Sequence, residues 1–142
     1  MTITVFGTPA PQGSKSFKGM AGGHAILAES CQAVKPWRQD VKAAAIEAMG
    51  GAGKGVAGPV SVLMVFTMPK PKSAPKRRKT WPDRKPDIDK LCRSTLDALV
   101  QAGAIEDDAR VVHMHAYKLF PSEGWDSMAV PGAYIDIVGL SE

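Results

Sequence analysis

The sequence has few cysteines, few aromatic residues and no long apolar run. Its 142 residues include two cysteines, Cys31 and Cys92, which are too few for a disulfide scaffold and form no Cys-x-x-Cys pair. No segment approaches the roughly 18 consecutive apolar residues of a membrane helix. The first residues also lack the basic start and apolar stretch of a signal peptide. We therefore expect reduced thiols, a cytoplasmic protein and no membrane partner.

The apolar content that is present suffices for one hydrophobic core. A chain of 142 residues, 44% of them hydrophobic, can bury such a core without a disulfide or structural metal. The same content excludes a fully disordered chain. We expect a single domain over residues 1–142, with a flexible basic arm at about residues 69–86.

Positive charge is concentrated in one part of the chain. The formal net charge is +4, but residues 69–93 carry ten basic and three acidic side chains, and the remainder has a net charge of −3. A patch of this kind is typical of nucleic-acid-binding proteins. It is equally typical of a solvated loop without a partner, so composition alone leaves both interpretations open.

Hydrophobic periodicity predicts an α+β fold. Segments rich in β-formers predict four strands, at residues 2–6, 60–68, 111–119 and 133–138. Apolar residues at steps of three and four predict two amphipathic helices, at about residues 36–49 and 87–102. The glycine-, proline- and lysine-rich residues 7–23 are predicted to form a mobile loop. The order β-α-β-α-β-β predicts a mixed sheet with helices packed on it.

Carboxylates lie at both ends of the second predicted helix. Asp87 and Asp89 open it, and Asp107 and Asp108 follow it. Each has a structural interpretation, because aspartate caps helix N–H groups and is common in turns. Next to a basic segment they also fit a divalent metal site, since a cation would neutralise them and bridge to a phosphodiester. Oxygen ligands favour Mg²⁺ or Mn²⁺ over zinc.

The distance between the two acidic ends is a difficulty for a shared metal site. A helix of about sixteen residues spans roughly 24 Å, so a turn of the chain alone does not bring Asp108 to Asp87. We expect that a neighbouring subunit or a dimer axis is needed to bring the acids together.

Residues 85–120, KPDIDKLCRSTLDALVQAGAIEDDARVVHMHAYKLF, resemble the signature of the RusA family of Holliday-junction resolvases. The shared features are an Asp-x-Asp opening, a basic residue four positions later, Leu-Asp-Ala-Leu, an Asp-Asp pair, a hydrophobic strand and a late lysine. The resemblance implies a RusA-like fold and a Mg²⁺-dependent endodeoxyribonuclease of DNA recombination and repair. It further implies a homodimer that nicks four-way junctions symmetrically, and a phage or prophage origin.

The resemblance also implies roles for individual residues. Asp87, Asp89 and Asp108 correspond to the catalytic, metal-binding aspartates of the family. Arg93 stands where the family has an essential lysine, and it can bind phosphate but cannot titrate. Contacts with the DNA backbone are expected from Lys76, Arg77, Arg78, Lys79, Arg84, Lys85, Lys90 and Lys118.

Other residues keep two interpretations. Asp97 matches a recurrent acid of the family, or pairs with Arg93 one helical turn away. Trp81 stacks on an exposed base or anchors the arm. His113 and His115 share a strand face, where surface residues are a better explanation than a metal site. Two residues depart from the family pattern, Arg93 in place of a lysine and Lys90 in place of an asparagine. These departures keep open a non-catalytic protein that binds branched DNA, and the same site would also suit a nuclease that cleaves DNA flaps.

Overall fold

The computed structural model describes residues 1–13, 15–21, 24–29, 32–124 and 126–141, with the backbone alone described for 15–21 and 24–29. The strands in this part of the chain are β1 Thr2–Phe6, β2 Lys15–Ala21, β3 His24–Glu29, β4 Val60–Thr67, β5 Val111–Leu119 and β6 Gly132–Gly139. The helices are α1 Val34–Met49 and α2 Ile88–Ala102, with a short 3-10 helix at Asp108–Arg110.

Four strands form a mixed sheet in the order β1-β6-β4-β5. The internal strand β4 pairs antiparallel with β6 and parallel with β5. One face of β4 is fully buried under the helices, and Val65 and Thr67 are buried on the other face, where Met128 N–H donates to Thr67 Oγ1 at 2.8 Å. This explains the nearly continuous apolar sequence of the strand. The predicted α+β fold and the central position of β4 are confirmed.

Both helices pack on one face of the sheet and on each other. Trp37 of α1 is buried, and its Nε1 donates to Thr95 Oγ1 of α2 at 3.2 Å. Apolar side chains of both helices join those of the sheet in one core. Each fully buried Leu or Val side chain in such a core contributes roughly 1.5–3 kcal/mol. Gly50 and Gly103 end the helices in the left-handed conformation that glycine adopts without strain.

The prediction of a mobile loop over residues 7–23 is wrong. β2 and β3 pair antiparallel as a separate two-stranded sheet. Their sequences are separated by Gly22-Gly23, a dipeptide typical of hairpin turns. Glycine, serine and lysine lower the propensity for strands, but their backbone N–H and C=O groups can still form the hydrogen bonds of a strand pair. The loop-like composition of this segment is therefore the reason that the sequence did not predict the pair of strands.

The segment before this hairpin is attached to α2. Ser94 Oγ donates to the carbonyl oxygen of Ala10 at 2.6 Å, and the N–H of Gln12 donates to the carbonyl oxygen of Lys90 at 3.0 Å. Pro9 and Ala10 are buried. Residues 8–13 therefore lie against the first turns of α2, beside the predicted site.

The cysteines have no prominent role in the described structure. Cys92 is free and buried, and burial, with the nearby charge of Asp89, raises its pKa to about 11. Cys31 lies outside the described residues. None of the helices in the described ranges has the length and apolar character needed to span a bilayer.

Candidate nucleic-acid and metal site

The basic arm, residues 69–86, connects β4 to α2 without forming a helix or strand. Its outer surface carries the exposed side chains of Lys76, Arg77, Arg78, Lys79, Arg84 and Lys85. None of these six cations forms a salt bridge with a described residue. Six exposed charges that form no salt bridge in the described part of the chain make a surface to which a phosphate backbone can bind.

Glu123 holds the arm on the body of the protein. Its carboxylate accepts hydrogen bonds from Lys70 Nζ at 2.5 Å and from the N–H of Thr80 at 2.9 Å. Lys70 Nζ also donates to the carbonyl oxygen of Arg78 at 3.2 Å. The hydrogen bond from Lys70, followed by that from Thr80, lowers the pKa of Glu123. Sequence reasoning missed this contact because no local pattern relates residues so far apart.

Lys118 holds the end of the arm. Its ammonium group donates to the carbonyl oxygens of Arg84 and Pro86, at 2.9 and 2.8 Å. The contact attaches the residue before Asp87 to the C-terminal part of β5. Lysine has three protons to donate, so a contact between Lys118 and DNA remains a prediction beside this structural role.

The carboxylates at the start of α2 are exposed. Asp87 occupies the N-cap position, but its side chain makes no capping hydrogen bond. Its Oδ2 instead lies 3.6 Å from Lys90 Nζ, and both side chains are about half exposed. Asp89 is exposed in the first turn, where a negative charge interacts favourably with the helix dipole. The capping role considered for Asp87 is therefore not observed, and its carboxylate is accessible to a ligand.

Three charged residues follow along one side of α2. Asp89, Arg93 and Asp97 are spaced four residues apart, which places them on the same side of a helix. Arg93 is exposed and Asp97 is partly buried. Among the described residues Arg93 forms no salt bridge, so it does not pair with Asp97.

Asp108 opens the short 3-10 helix that precedes β5 and interacts with α2. The residue is exposed, but partial burial of its carboxyl group raises the pKa of Asp108, and the negative charges of Asp97 and Asp107 raise it further. The structure therefore brings Asp97, which the resemblance left without a firm role, into the electrostatic environment of Asp108. A cation bound there would relieve this repulsion.

The three predicted metal ligands do not meet within one chain. Asp97 is ten residues after Asp87 on α2, a rise of about 15 Å along the helix, and Asp108 is coupled to Asp97. Within the described ranges no group of three or more His, Cys, Asp or Glu side chains could hold a metal ion. One chain thus presents two separate acidic positions, one at each end of α2.

β5 is an edge strand with exposed apolar side chains. In the described part of the chain it pairs with β4 alone. Met114, whose register partner is the core residue Val62, lies on the face that carries the helices and is 47% exposed, and Val112, at a shift in the register, is 56% exposed. α2 runs antiparallel to β5. Lys118, near the end of β5, donates hydrogen bonds to the residues that precede α2. Asp108, just before β5, interacts with Asp97 in the second half of α2. An exposed apolar edge strand is a typical site for pairing with another chain.

His113 and His115 lie on the opposite face of the sheet. Their register partners on β4 are Ser61 and Leu63, and both histidines are exposed. In the region that the structure describes they join no metal-binding group. The expectation that they are surface residues agrees with this placement.

A comparison with protein-family models matches residues 7–131 to the family described as Endodeoxyribonuclease RusA. The matched range begins in the loop after β1 and extends to the segment before β6. A search of curated protein sequences finds no significant match.

Proposed function

Because the chain belongs to the RusA endodeoxyribonuclease family, whose members are nucleases acting on branched DNA, we propose that it resolves four-way junctions by paired symmetric nicks. In this proposal the reaction depends on Mg²⁺, with Mn²⁺ as a substitute, and the enzyme is a homodimer. The observation that carries the proposal is the placement of accessible carboxylates at both ends of α2, beside an exposed apolar edge strand. We place this activity in the cytoplasm of a bacterial or phage-infected cell, where such DNA is found.

The edge of β5 is the proposed dimer contact. Two β5 strands that pair antiparallel about a two-fold axis would continue the sheet from one subunit into the other. Met114 lies on the helix-bearing face and would be covered by α2 of the partner subunit, and Val112 is exposed on the same edge strand. Burial of these two half-exposed side chains favours association.

This pairing would also complete the acidic site. α2 runs antiparallel to β5 within each subunit, so an antiparallel β5 pair places the start of one α2 near the beginning of the other β5. Asp87 and Asp89 of one subunit would then approach Asp108 of the partner subunit. The two-fold axis creates two such sites, as symmetric cleavage of two strands requires.

The donor atoms suit a hard divalent cation. Asp87, Asp89 and Asp108 offer carboxylate oxygens, which Mg²⁺ and Mn²⁺ prefer. Partial burial raises the pKa of Asp108 most, and the charges of Asp97 and Asp107 raise it further; a bound cation would relieve that repulsion between carboxylates. When bound, Mg²⁺ supplies Lewis acidity for phosphodiester hydrolysis.

The remaining side chains bind and position the DNA. Arg93 is exposed between Asp89 and Asp97 and forms no salt bridge with any residue that the structure describes, so its guanidinium is available for a bidentate contact with a phosphate next to the cleavage position. The arm cations and Lys90 contact backbone phosphates without reading sequence. Glu123 and Lys118 keep these cations in place through their contacts with the arm.

Cleavage of a synthetic four-way junction tests the activity. We expect wild-type protein to make paired nicks in Mg²⁺ and none in EDTA, and Asp89→Asn and Asp108→Asn to lose activity by at least 100-fold. Asp40→Asn, which alters an exposed acid on α1, is the matched control and retains activity. Cleavage by Asp89→Asn at the wild-type rate would contradict the proposed site.

Mixing two inactive variants tests whether each site is shared between subunits. A heterodimer of Asp89→Asn and Asp108→Asn subunits contains one fully wild-type site if the acids come from different subunits. We therefore expect the mixture to recover nicking of one strand. If each site lies within one subunit, both sites stay defective and the mixture remains inactive.

A second function follows from two departures from the family pattern. Arg93 replaces a lysine and Lys90 replaces an asparagine, and Lys90 lies 3.6 Å from Asp87. A non-catalytic protein that binds branched DNA would bind a junction tightly in EDTA and leave it intact in both Mg²⁺ and Mn²⁺. Comparison of junctions, forks and flaps as substrates separates a resolvase from a more general branched-DNA nuclease.

A further inference from the structure

A cleft of about 1090 Å³ lies between the basic arm and residues 8–13. Much of its wall is apolar and comes from both segments, and it includes Pro9, Pro11, Pro71, Pro82, Trp81 and Phe120. Its remaining lining includes the cations Arg78, Lys79, Arg84, Lys85 and Lys90. The cleft thus combines an apolar wall with positive charge, and it reaches Asp87 at the start of α2.

Trp81 is the exposed aromatic residue among the described residues that line this cleft. The residue is 62% exposed, and Lys79 Nζ lies 4.1 Å from the ring centroid. The backbone around it is held, because the N–H of Thr80 donates to Glu123 and the N–H of Asp83 donates to the carbonyl oxygen of Trp81 at 2.9 Å. The ring is therefore an exposed surface on a segment that the contact between Thr80 and Glu123 attaches to the body of the protein.

We propose that this cleft binds a nucleobase displaced from the DNA stack, with the base on Trp81 and its flanking phosphates on the surrounding cations. Aromatic side chains beside positive charge are the means by which proteins hold unpaired nucleotides. The inference rests on the proposed function, because branched DNA supplies bases at its crossover that are not stacked between paired neighbours. Asp87 lines the same cleft. A base held on Trp81 would therefore fix the distance along the DNA strand between that base and the phosphodiester that is cleaved near Asp87.

Paired duplex DNA does not offer the same ligand. Its bases are covered on both faces by their neighbours, so their π-faces cannot reach Trp81. Backbone binding by the arm cations is common to paired and unpaired DNA. A selective effect of Trp81 on unpaired DNA therefore separates base stacking from general attraction to phosphate.

Binding of a fluorescently labelled 12-nucleotide oligothymidylate, measured by anisotropy in EDTA, tests the proposal. We expect Trp81→Leu to weaken binding by about 5- to 150-fold, the range for loss of one base–aromatic stack, and Trp81→Phe to give an intermediate affinity. Phe6→Leu alters a ring of similar exposure, 66%, outside the cleft, and retains wild-type affinity. On a fully paired 20-base-pair duplex all four proteins bind equally.

Three results overturn the base-binding cleft. They are wild-type affinity of Trp81→Leu for the oligonucleotide, an equal loss of affinity on the duplex, and failure of the wild-type protein to bind the oligonucleotide. These measurements contain no cleavage step. If the protein fails to cleave the junction but Trp81→Leu weakens oligonucleotide binding, base binding by the cleft is supported and the nuclease proposal is not. If the protein cleaves the junction but Trp81→Leu has no effect, only the base-binding proposal is rejected.

Discussion

Asp97 on α2 and Asp108 in the short 3-10 helix are electrostatically coupled, and the charge of Asp97 is one reason that the pKa of Asp108 is raised. The two residues belong to different elements, and the turn at Gly103 returns the chain alongside α2. The coupling defines the acidic position at the C-terminal end of α2. It also identifies Asp97 as the neighbour that most affects Asp108 after burial itself.

Removal of the Asp97 charge is expected to lower the pKa of Asp108 without restoring the ordinary value, because burial is the larger cause. A raised pKa means that the folded state holds the proton more tightly. The contribution of Asp108 to the free energy of unfolding therefore falls as pH rises above about 3.9. In Asp97→Asn the free energy of unfolding should therefore decrease less as pH rises over this range. Side-chain ¹³C NMR titration measures the pKa, with Asp40→Asn as control, and an unaltered Asp108 titration in Asp97→Asn would refute the coupling.

Replacement of Glu123 by glutamine should loosen the basic arm. The pKa of Glu123 is lowered in the folded state, so its stabilising effect is present above about pH 4.3 and is lost as pH falls below its folded pKa. We expect faster hydrogen exchange at the N–H of Thr80 in Glu123→Gln at neutral pH. Glu47→Gln, on α1, is the control and leaves this exchange rate unchanged. Protection of Thr80 that is equal in both variants would contradict the role of Glu123.

A charge on the exposed edge strand should prevent association. Met114→Glu places a carboxylate on the helix-bearing face of β5, where the proposed contact would bury it without a partner. We expect the dissociation constant of the dimer, measured by analytical ultracentrifugation, to increase at least tenfold. Val138→Glu alters a residue that is 50% exposed on the opposite face of β6 and should leave the dimer intact. A dimer unaffected by Met114→Glu would place the contact elsewhere.

Lys118 and Lys76 should affect different properties of the protein. Lys118→Met removes two hydrogen bonds from a charged donor, so we expect a loss of at least about 1.5 kcal/mol in the free energy of unfolding, with lower kcat on the junction. Lys76→Met should leave stability unchanged and reduce the slope of log affinity against log salt concentration by about 0.9, the effect of one phosphate contact. Urea denaturation and salt titration of junction binding measure the two effects. A reduced salt slope in Lys118→Met with unchanged stability would assign Lys118 to DNA binding instead.

Local patterns predicted much of the fold correctly. The bounds of β5 agree with the expected residues 111–119, and α2 begins within one residue of the expected start. Both agreements arise because the spacing of apolar residues along a helix or strand follows from which side of that element is buried. The hairpin of β2 and β3 was missed because its composition is that of a loop and its pairing is formed by backbone groups.

The sequence by itself determined the two helices, the four strands of the mixed sheet as separate segments and the presence of acids beside a basic segment, since each depends on residues close together in the chain. Only the tertiary structure decided that Asp97 adjoins Asp108, that Glu123 and Lys118 hold the arm, and that one chain keeps its acidic positions apart. Those relationships join residues far apart in the sequence, and they exist only when the chain has packed around its core.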